Sequence, residues 1–174
     1  MIKSIRYQTI LLGTLIALSA CTKTATPNLY EENFMHYDTS SKQVHFELIA
    51  AKNANNNGYN YNGYYQNAVT LKVPAGWIIS ITFINRDANA PHSIVLTPAF
   101  SQNDIPDEQT GEFAIINRAY TEVLHANEQE TISFPAKEGR YWLFCGVKRH
   151  GIDGMWIPLT VERDLQIPAL HFRQ

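Results

Sequence analysis

Apolar and polar residues alternate along several short segments of this chain, which is the period of a half-buried β-strand. Val44, Phe46 and Leu48 lie in the first such segment, with polar residues between them. The alternation, or a short apolar run, recurs at residues 69–73, 77–84, 92–97, 131–134, 140–145 and 156–161. Turn signals separate the segments at Asn62-Gly63, Ala75-Gly76 and Glu138-Gly139. The pattern predicts an all-β domain over residues 44–163, an antiparallel sandwich or barrel.

Two segments inside the predicted domain depart from strand alternation. Residues 100–129 have the weakest strand pattern, and we expect an inserted loop or short helix there. Residues 55–65 are rich in Asn and Tyr. This composition favours a turn-rich hairpin because Asn-Gly tolerates the positive φ of a tight turn; a direct binding role is the alternative. After the domain, residues 164–174 are predicted to form a C-terminal tail.

The N-terminus has the organisation of an export signal. Lys3 and Arg6 precede an apolar stretch at residues 10–18, which is shorter than the ~20 residues that span a bilayer. The sequence Leu18-Ser19-Ala20-Cys21 resembles the lipobox of bacterial lipoproteins. This resemblance implies a lipoprotein signal peptide at residues 1–20 and lipidation of Cys21. An ordinary signal peptide cleaved after Ala20 is the alternative.

The residues after the signal are expected to connect a lipid anchor to the domain. Residues 21–43 would comprise the lipidated Cys21 and a tether rich in Thr, Asn, Ser and Glu. Acyl chains on Cys21 would hold the protein at the periplasmic side of a bacterial membrane. Thr22 follows the cysteine where many lipoproteins retained at the inner membrane have Asp, which favours the outer membrane.

Composition limits the possible functions. The 174 residues include 45% apolar residues, too many for a disordered chain. The net charge is -2, and removing residues 1–20 would take away two basic residues and no acidic ones, leaving -4. Binding to nucleic acid is therefore not expected. The only cysteines are Cys21 and Cys145, which excludes a multi-cysteine zinc site. If Cys21 carries lipid, Cys145 has no disulfide partner.

Residues that could bind a metal are concentrated between positions 145 and 155, with one more upstream. Cys145, His150 and Met155 form the motif C-x4-H-x4-M directly after an apolar strand, and His92 opens an upstream strand. Two imidazoles, a thiolate and a weak thioether form the ligand set of a blue-copper electron-transfer site. Taken singly, each residue is better explained by packing; the combination favours copper. The remaining histidines and two of the tryptophans are expected at surface or packing positions: His36, His45, His125, His171, Trp142 and Trp156.

These motifs together resemble the cupredoxins, most closely their sulfocyanin and rusticyanin branch. The matching elements are Tyr59-Asn60-Tyr61-Asn62-Gly63, where sulfocyanins have Phe-Asn-Phe-Asn-Gly, Val73-Pro74-Ala75-Gly76-Trp77, Pro91-His92-Ser93 and residues 141–156. The resemblance implies a Greek-key sandwich and one type 1 copper ion, cycling between Cu(I) and Cu(II). By position, His92, Cys145, His150 and Met155 would be its ligands. Backbone N–H groups are also expected to hydrogen-bond the Cys145 sulfur.

The resemblance implies a carrier of single electrons in a respiratory chain outside the cytoplasm, not an enzyme. Expected partners are redox proteins such as a cytochrome or a terminal oxidase, met by a monomer through small transient contacts. The exposed edge of His150 would be the electron port. A copper-holding or copper-delivery lipoprotein is the alternative, and a metal-free structural lipoprotein is a third. A multicopper enzyme would need more histidines, and no His-x-His pair is present.

The ligand motif departs from its relatives at one place. Lys148-Arg149 stands where relatives usually have Pro-Gly before the second histidine. The spacing of the ligands is unchanged, so ligation is still expected. Two cations beside His150 are predicted to attract an acidic partner and to raise the reduction potential, to an extent that solvent weakens.

Overall fold

Two β-sheets face each other in the computed structural model, which describes residues 34–173. The first sheet has the order β1–β2–β4–β6. Its strands are β1 (Met35–Asp38), β2 (Gln43–Ala50), β4 (Ile78–Asn85) and β6 (Gln129–Pro135). The second sheet has the order β5–β7–β8–β3–β9. Its strands are β5 (Val95–Pro98), β7 (Gly139–Phe144), β8 (Trp156–Glu162), β3 (Val69–Pro74) and β9 (Ala169–Phe172). The predicted all-β, cupredoxin-like sandwich is confirmed.

The core lies between the sheets because successive side chains of a strand point to opposite faces. In β2 every second residue is buried, beginning with Val44 and continuing through Phe46 and Leu48. Ile81 from β4 and Leu143 from β7 are also fully buried in the same cluster. Alternation in the sequence thus identified the core-facing side of the strands.

The prediction of an entirely antiparallel sandwich is wrong for two strand pairs. β2 runs parallel to β4, with Val44 opposite Ile79. β3 runs parallel to β8, with Leu71 opposite Leu159. In each case the chain visits the other sheet before it returns, so the two neighbours are joined by a crossover. A crossover permits parallel pairing, whereas a tight hairpin requires antiparallel strands.

One edge strand of each sheet, β1 and β9, lies beyond the predicted domain limits of 44 and 163. β1 falls inside the predicted tether 21–43, and β9 falls inside the predicted tail 164–174. β1 pairs with β2, and β9 pairs with β3, both antiparallel. Most side chains of these two strands are exposed or half-buried, so their sequences lack the alternation that marks a strand. The signal peptide, Cys21 and residues 22–33 lie outside the described residues.

The chain between β5 and β6 is irregular. Residues 99–128 form loops with one short 3₁₀ turn at Gly111–Phe113, in agreement with the loop or short helix predicted for residues 100–129. The strand expected at residues 92–97 is shorter: β5 begins at Val95, and His92 forms an isolated bridge with Leu124.

Within residues 34–173, no helix has the length and apolar character needed to cross a membrane.

Candidate metal centre

Three side chains from two separate segments converge at one end of the second sheet. His92 lies before β5, Cys145 directly follows β7, and His150 lies between β7 and β8. The Cys145 Sγ lies 3.8 Å from His92 Nδ1 and 3.5 Å from His150 Nδ1. The ligand atoms of all three residues lie within 4.8 Å of one another. Because β5, β7 and β8 are neighbours in the sheet, adjacent strand ends bring these atoms together.

The ligand loop, residues 145–155, folds back so that its two ends are paired. The Cys145 N–H donates to the Met155 carbonyl at 2.9 Å, and the Met155 N–H donates to the His150 carbonyl at 2.8 Å. Met155 is fully buried. A Cβ on Gly151 would lie 1.8 Å from the Phe144 ring, so only glycine fits where the loop crosses that ring. These hydrogen bonds bring the backbone of Met155 next to those of Cys145 and His150.

The Cys145 side chain is fully buried and makes no disulfide among the described residues. Burial raises the pKa of the Cys145 thiol to about 11, since a thiolate is poorly solvated there. Hydrogen bonds from the backbone N–H groups of Ser93 and Val147 act in the opposite direction on this pKa, as do the Ser93 and Tyr61 hydroxyls. The N–H groups of Ser93 and Val147 are the backbone donors predicted for the sulfur. The metal-free thiol is protonated at neutral pH, and a bound cation would take the place of that proton.

The two histidines have different surroundings. His92 is fully buried, and its Nε2 lies 3.0 Å from Asp87 Oδ2. Burial lowers the pKa of His92, although Asp87 opposes this shift. His150 is 7% exposed, and its ring stacks on Tyr59 with the centroids 4.4 Å apart. Burial and the nearby His92 lower the pKa of His150 to about 4, so both rings are neutral at pH 7 and have a lone pair for a metal.

The Asn- and Tyr-rich segment also contributes to this site. Asn62-Gly63 forms the predicted tight turn, in which the backbones of Tyr61 and Tyr64 exchange two hydrogen bonds of 2.8 Å. Asn56 Nδ2 donates to the carbonyl of Asp153 in the ligand loop. The Tyr61 hydroxyl donates to the Ser93 carbonyl at 2.7 Å. The hairpin interpretation is therefore correct, but the segment also packs against the site, a role that its excess of tyrosine could have indicated.

The two cations next to His150 are paired within the molecule. Lys148 Nζ lies 3.7 Å from Asp107 Oδ2, and Arg149 Nη2 lies 3.4 Å from Asp153 Oδ1. Each positive charge is thus accompanied by a negative one. The cationic patch expected from the sequence is therefore largely neutralised, by Asp107 from another loop and by Asp153 from the ligand loop itself.

The other residues considered from the sequence lie away from this group. Trp142 and Trp156 are buried and stack on each other with ring centroids 3.6 Å apart, consistent with the predicted packing role. Four histidines do not belong to the three-residue cluster: His36, His45, His125 and His171. The donor set itself suits copper, because a thiolate with two imidazoles is acceptable to both Cu(I) and Cu(II).

Comparison with known proteins identifies a family from the sequence and a shared fold from the structure. The family described as "Sulfocyanin (SoxE) domain" matches residues 31–171. Sulfocyanin from Sulfolobus acidocaldarius is 28% identical over 144 residues, which cover 76% of this chain and 70% of that protein. A crystal structure of variant rusticyanin has a TM-score of 0.58 at 19% identity, covering 72% of this chain and 80% of that one. Auracyanin B has a TM-score of 0.50 at 20% identity, covering 74% and 94%.

The structural similarities support the cupredoxin-like sandwich, and the family match covers most of the chain. Cupredoxins are blue copper proteins that generally transfer electrons, and the predicted cofactor, one copper ion, agrees with the metal site formed by His92, Cys145 and His150. The chain therefore belongs to the sulfocyanin family, within the cupredoxins.

Proposed function

We propose that this protein carries single electrons between redox partners of a respiratory chain outside the cytoplasm. The observation that supports the proposal is the buried convergence of the Cys145 sulfur with the Nδ1 atoms of His92 and His150. We assign these three residues as equatorial ligands and Met155 as the weak axial ligand. When bound, copper supplies a centre that gains and loses one electron reversibly.

The chain's own residues keep the ligands in nearly the same place in both oxidation states. One backbone hydrogen bond joins Cys145 to Met155, and their neighbours Phe144 and Trp156 pair across β7 and β8. Because packed strands resist movement, the ligands need not rearrange when the charge changes. A small rearrangement favours fast electron transfer, and this property suits a carrier.

We assign the electron port to the edge of His150. This ring retains slight exposure, whereas the side chain of His92 has none. Tyr59 covers one face of the His150 ring, so electrons would leave the metal through the edge of this ring. A partner that docks there would reach a ligand directly, and a small interface suits rapid dissociation after transfer.

The remaining parts of the proposal rest on the sequence. Lipidation of Cys21 would hold a monomer at the periplasmic side of a bacterial membrane, with Thr22 favouring the outer membrane. The donor and acceptor would be redox proteins, such as a cytochrome and a terminal oxidase. Membrane attachment would confine their encounters to a surface and raise the effective concentration of each partner.

Visible absorption and electron paramagnetic resonance of the copper-loaded protein test the site. Residues 22–174, which lack the lipidated cysteine, are mixed with Cu(II), and Cys145→Ala serves as the matched control. We expect an intense thiolate-to-copper band that bleaches reversibly with a reductant and is absent in the control. A colourless wild-type protein with weak signals that do not depend on Cys145 would contradict the proposed centre.

Copper-transfer kinetics distinguish a carrier from a copper-delivery protein. A thiolate and two imidazoles in a buried site favour retention, so we expect slow loss of Cu(I) to a competing chelator together with a reversible midpoint potential. Rapid transfer without a reversible potential would instead support delivery.

A further inference from the structure

A carboxylate lies behind one of the two histidines. Asp87 Oδ2 lies 3.0 Å from His92 Nε2, on the side of the ring opposite the Nδ1 that faces Cys145. The His92 side chain is fully buried and the Asp87 side chain is only 15% exposed. Nearby protein groups therefore screen this pair from most of the solvent, and the charge of Asp87 acts on the ring more strongly than a surface carboxylate would.

The Asp87 carboxylate is held in place through its second oxygen. Asp87 Oδ1 accepts hydrogen bonds from the backbone N–H groups of Asn89 at 2.8 Å and Ala90 at 3.2 Å. These bonds leave Oδ2 directed at His92, and they also favour the ionised form. The pKa of Asp87 is lowered by these bonds and by His92, against the effect of burial.

A buried asparagine fixes the segment that carries both partners. Asn85 Oδ1 accepts from the Asp87 N–H at 2.8 Å, and Asn85 Nδ2 donates to the carbonyls of Ala90 and Leu124. Leu124 in turn exchanges two backbone hydrogen bonds with His92. We call residues 85–92 the histidine frame, because these bonds connect the carboxylate and the ring to one hydrogen-bonded unit.

The second histidine has no equivalent support in the described structure. Among residues 34–173, the hydrogen bonds place a carboxylate on His92 Nε2 but none on His150, whose ring stacks on Tyr59. The nearby Asp153 pairs with Arg149. The arrangement around His92 is therefore specific to one ligand.

We propose that Asp87 is a positioning residue that holds His92 in the tautomer with the proton on Nε2 and lowers the reduction potential of the site. The hydrogen bond from Nε2–H to Oδ2 leaves the Nδ1 lone pair facing Cys145 and the metal. A carboxylate behind a ligand histidine also makes the ring a stronger donor. Its negative charge stabilises the more positive oxidised site over the reduced one. This inference rests on the proposed copper site and deepens it.

The first test measures the reduction potential of the loaded protein. Asp87→Asn removes the charge, and Asp87→Ala removes both the charge and the hydrogen bond. Asp153→Asn is the matched control, because Asp153 is also close to a ligand histidine but is paired with Arg149. We expect the Asp87 variants to shift the ratio of Cu(II) to Cu(I) affinity about tenfold toward Cu(I), which is about 59 mV for one electron. Shifts no larger than that of the control would overturn the proposal.

The second test uses the metal-free protein and does not depend on the copper assignment. Nitrogen-15 NMR of the imidazoles reports which ring nitrogen carries the proton. We expect His92 to be protonated only on Nε2 in the wild type, and Asp87→Ala to populate both tautomers. A mixed tautomer in the wild type, or no change in the variant, would contradict the positioning role. Absence of the thiolate band in wild-type protein would contradict the copper site while this NMR result still decides on Asp87.

Discussion

The two segments that supply the ligands differ in how they are held. The histidine frame carries one ligand on a network of buried hydrogen bonds centred on Asn85 and Asp87. The ligand loop carries the other three predicted ligands and relies on backbone turns, two exposed ion pairs and a residue in the left-handed region, Arg149 with φ 71°. The polar groups of the histidine frame are hydrogen-bonded within the protein. The ligand loop is partly exposed and has one residue, Arg149, in a strained backbone conformation.

This difference separates two tasks of an electron carrier. A buried, fully hydrogen-bonded ligand defines the geometry and the charge environment of the metal. A ligand near the surface provides coupling to a partner, and some strain is tolerated there because neighbouring contacts determine the loop's shape. We therefore expect changes in the histidine frame to act on stability and potential, and changes in the ligand loop to have smaller effects on both.

Removal of the Asn85 side chain should have the largest effect on stability. Asn85→Ala removes the acceptor of the Asp87 N–H and the donor to the Ala90 carbonyl. The Leu124 carbonyl loses one of its two donors and keeps the His92 N–H. Each group left unsatisfied costs about 1–3 kcal/mol, so we expect a loss of about 2–4 kcal/mol. Urea unfolding of the metal-free protein measures this, with the exposed Asn103→Ala as control. A loss below about 1 kcal/mol would show that the frame is not held as described.

Acidification should destabilise the metal-free protein through the ligand loop. The pKa of His150 is about 4 in the folded chain and about 6.5 when unfolded, so the unfolded state binds its proton first. Stability from this group is complete above pH 6.5 and is lost as the pH falls toward 4. Because solvent at the exposed ring edge weakens the effect, we expect a loss of about 2 kcal/mol. The charges of His92, Asp153 and Asp87 also influence the pKa of His150.

Urea unfolding at pH 7 and pH 4.5 measures the acid effect, and His150→Gln is the matched variant. We expect the variant to show a clearly flatter dependence on pH over this range. An equal dependence in wild type and variant would assign the acid sensitivity to other groups.

Replacement of Tyr61 by Phe should give an intermediate effect that concerns both segments. The Tyr61 hydroxyl donates to the Ser93 carbonyl directly after His92, and it also favours the Cys145 thiolate. Tyr61→Phe leaves a buried carbonyl without its donor, so we expect a loss of about 1–2 kcal/mol. Unfolding of the metal-free protein measures it, with the half-buried Tyr141→Phe as control for loss of a hydroxyl that bonds only exposed turn carbonyls. Equal losses would show that burial of the Tyr61 hydroxyl has no added effect.

Replacement of Arg149 by Gly should give the smallest effect and the opposite sign. An L-residue in the left-handed region costs about 1–2 kcal/mol, and glycine does not. The gain is offset by greater freedom of the unfolded chain and by loss of the exposed pair with Asp153, so we expect a stabilisation below about 1 kcal/mol. The neighbouring Lys148→Gly is the control, since Lys148 does not have a positive φ and should lose stability. Equal destabilisation of both variants would show that the positive φ of Arg149 does not strain the ligand loop.

The sequence predicted the parts of the molecule that follow a simple spacing rule. Strand alternation identified β2, β3, β4, β6, β7 and β8. The spacing C-x4-H with an upstream histidine identified the three residues whose ligand atoms converge, His92, Cys145 and His150, while Met155 as the fourth ligand stays a prediction. β1 and β9 were missed because all of their side chains are exposed or half-buried, so neither segment shows the alternation of a strand with one buried face. The role of Asp87 was missed because a carboxylate in a polar loop has no distinguishing pattern, and only the folded frame brings it to His92. The pairing of Lys148 with Asp107 was missed for the same reason.

The order in which the chain supplies its ligands has a consequence for assembly. His92 and Cys145 lie 53 residues apart, and His150 and Met155 follow near the end of the chain. A nascent polypeptide therefore contains only one of the four predicted ligands, His92, until residues 145–155 have been synthesised. Loops of this length must close before the strand ends meet, which makes the site a late event in folding. Metal loading is thus expected to follow synthesis of residues 145–155 and closure of the sandwich, so that copper acquisition is separated in time from the early steps of folding.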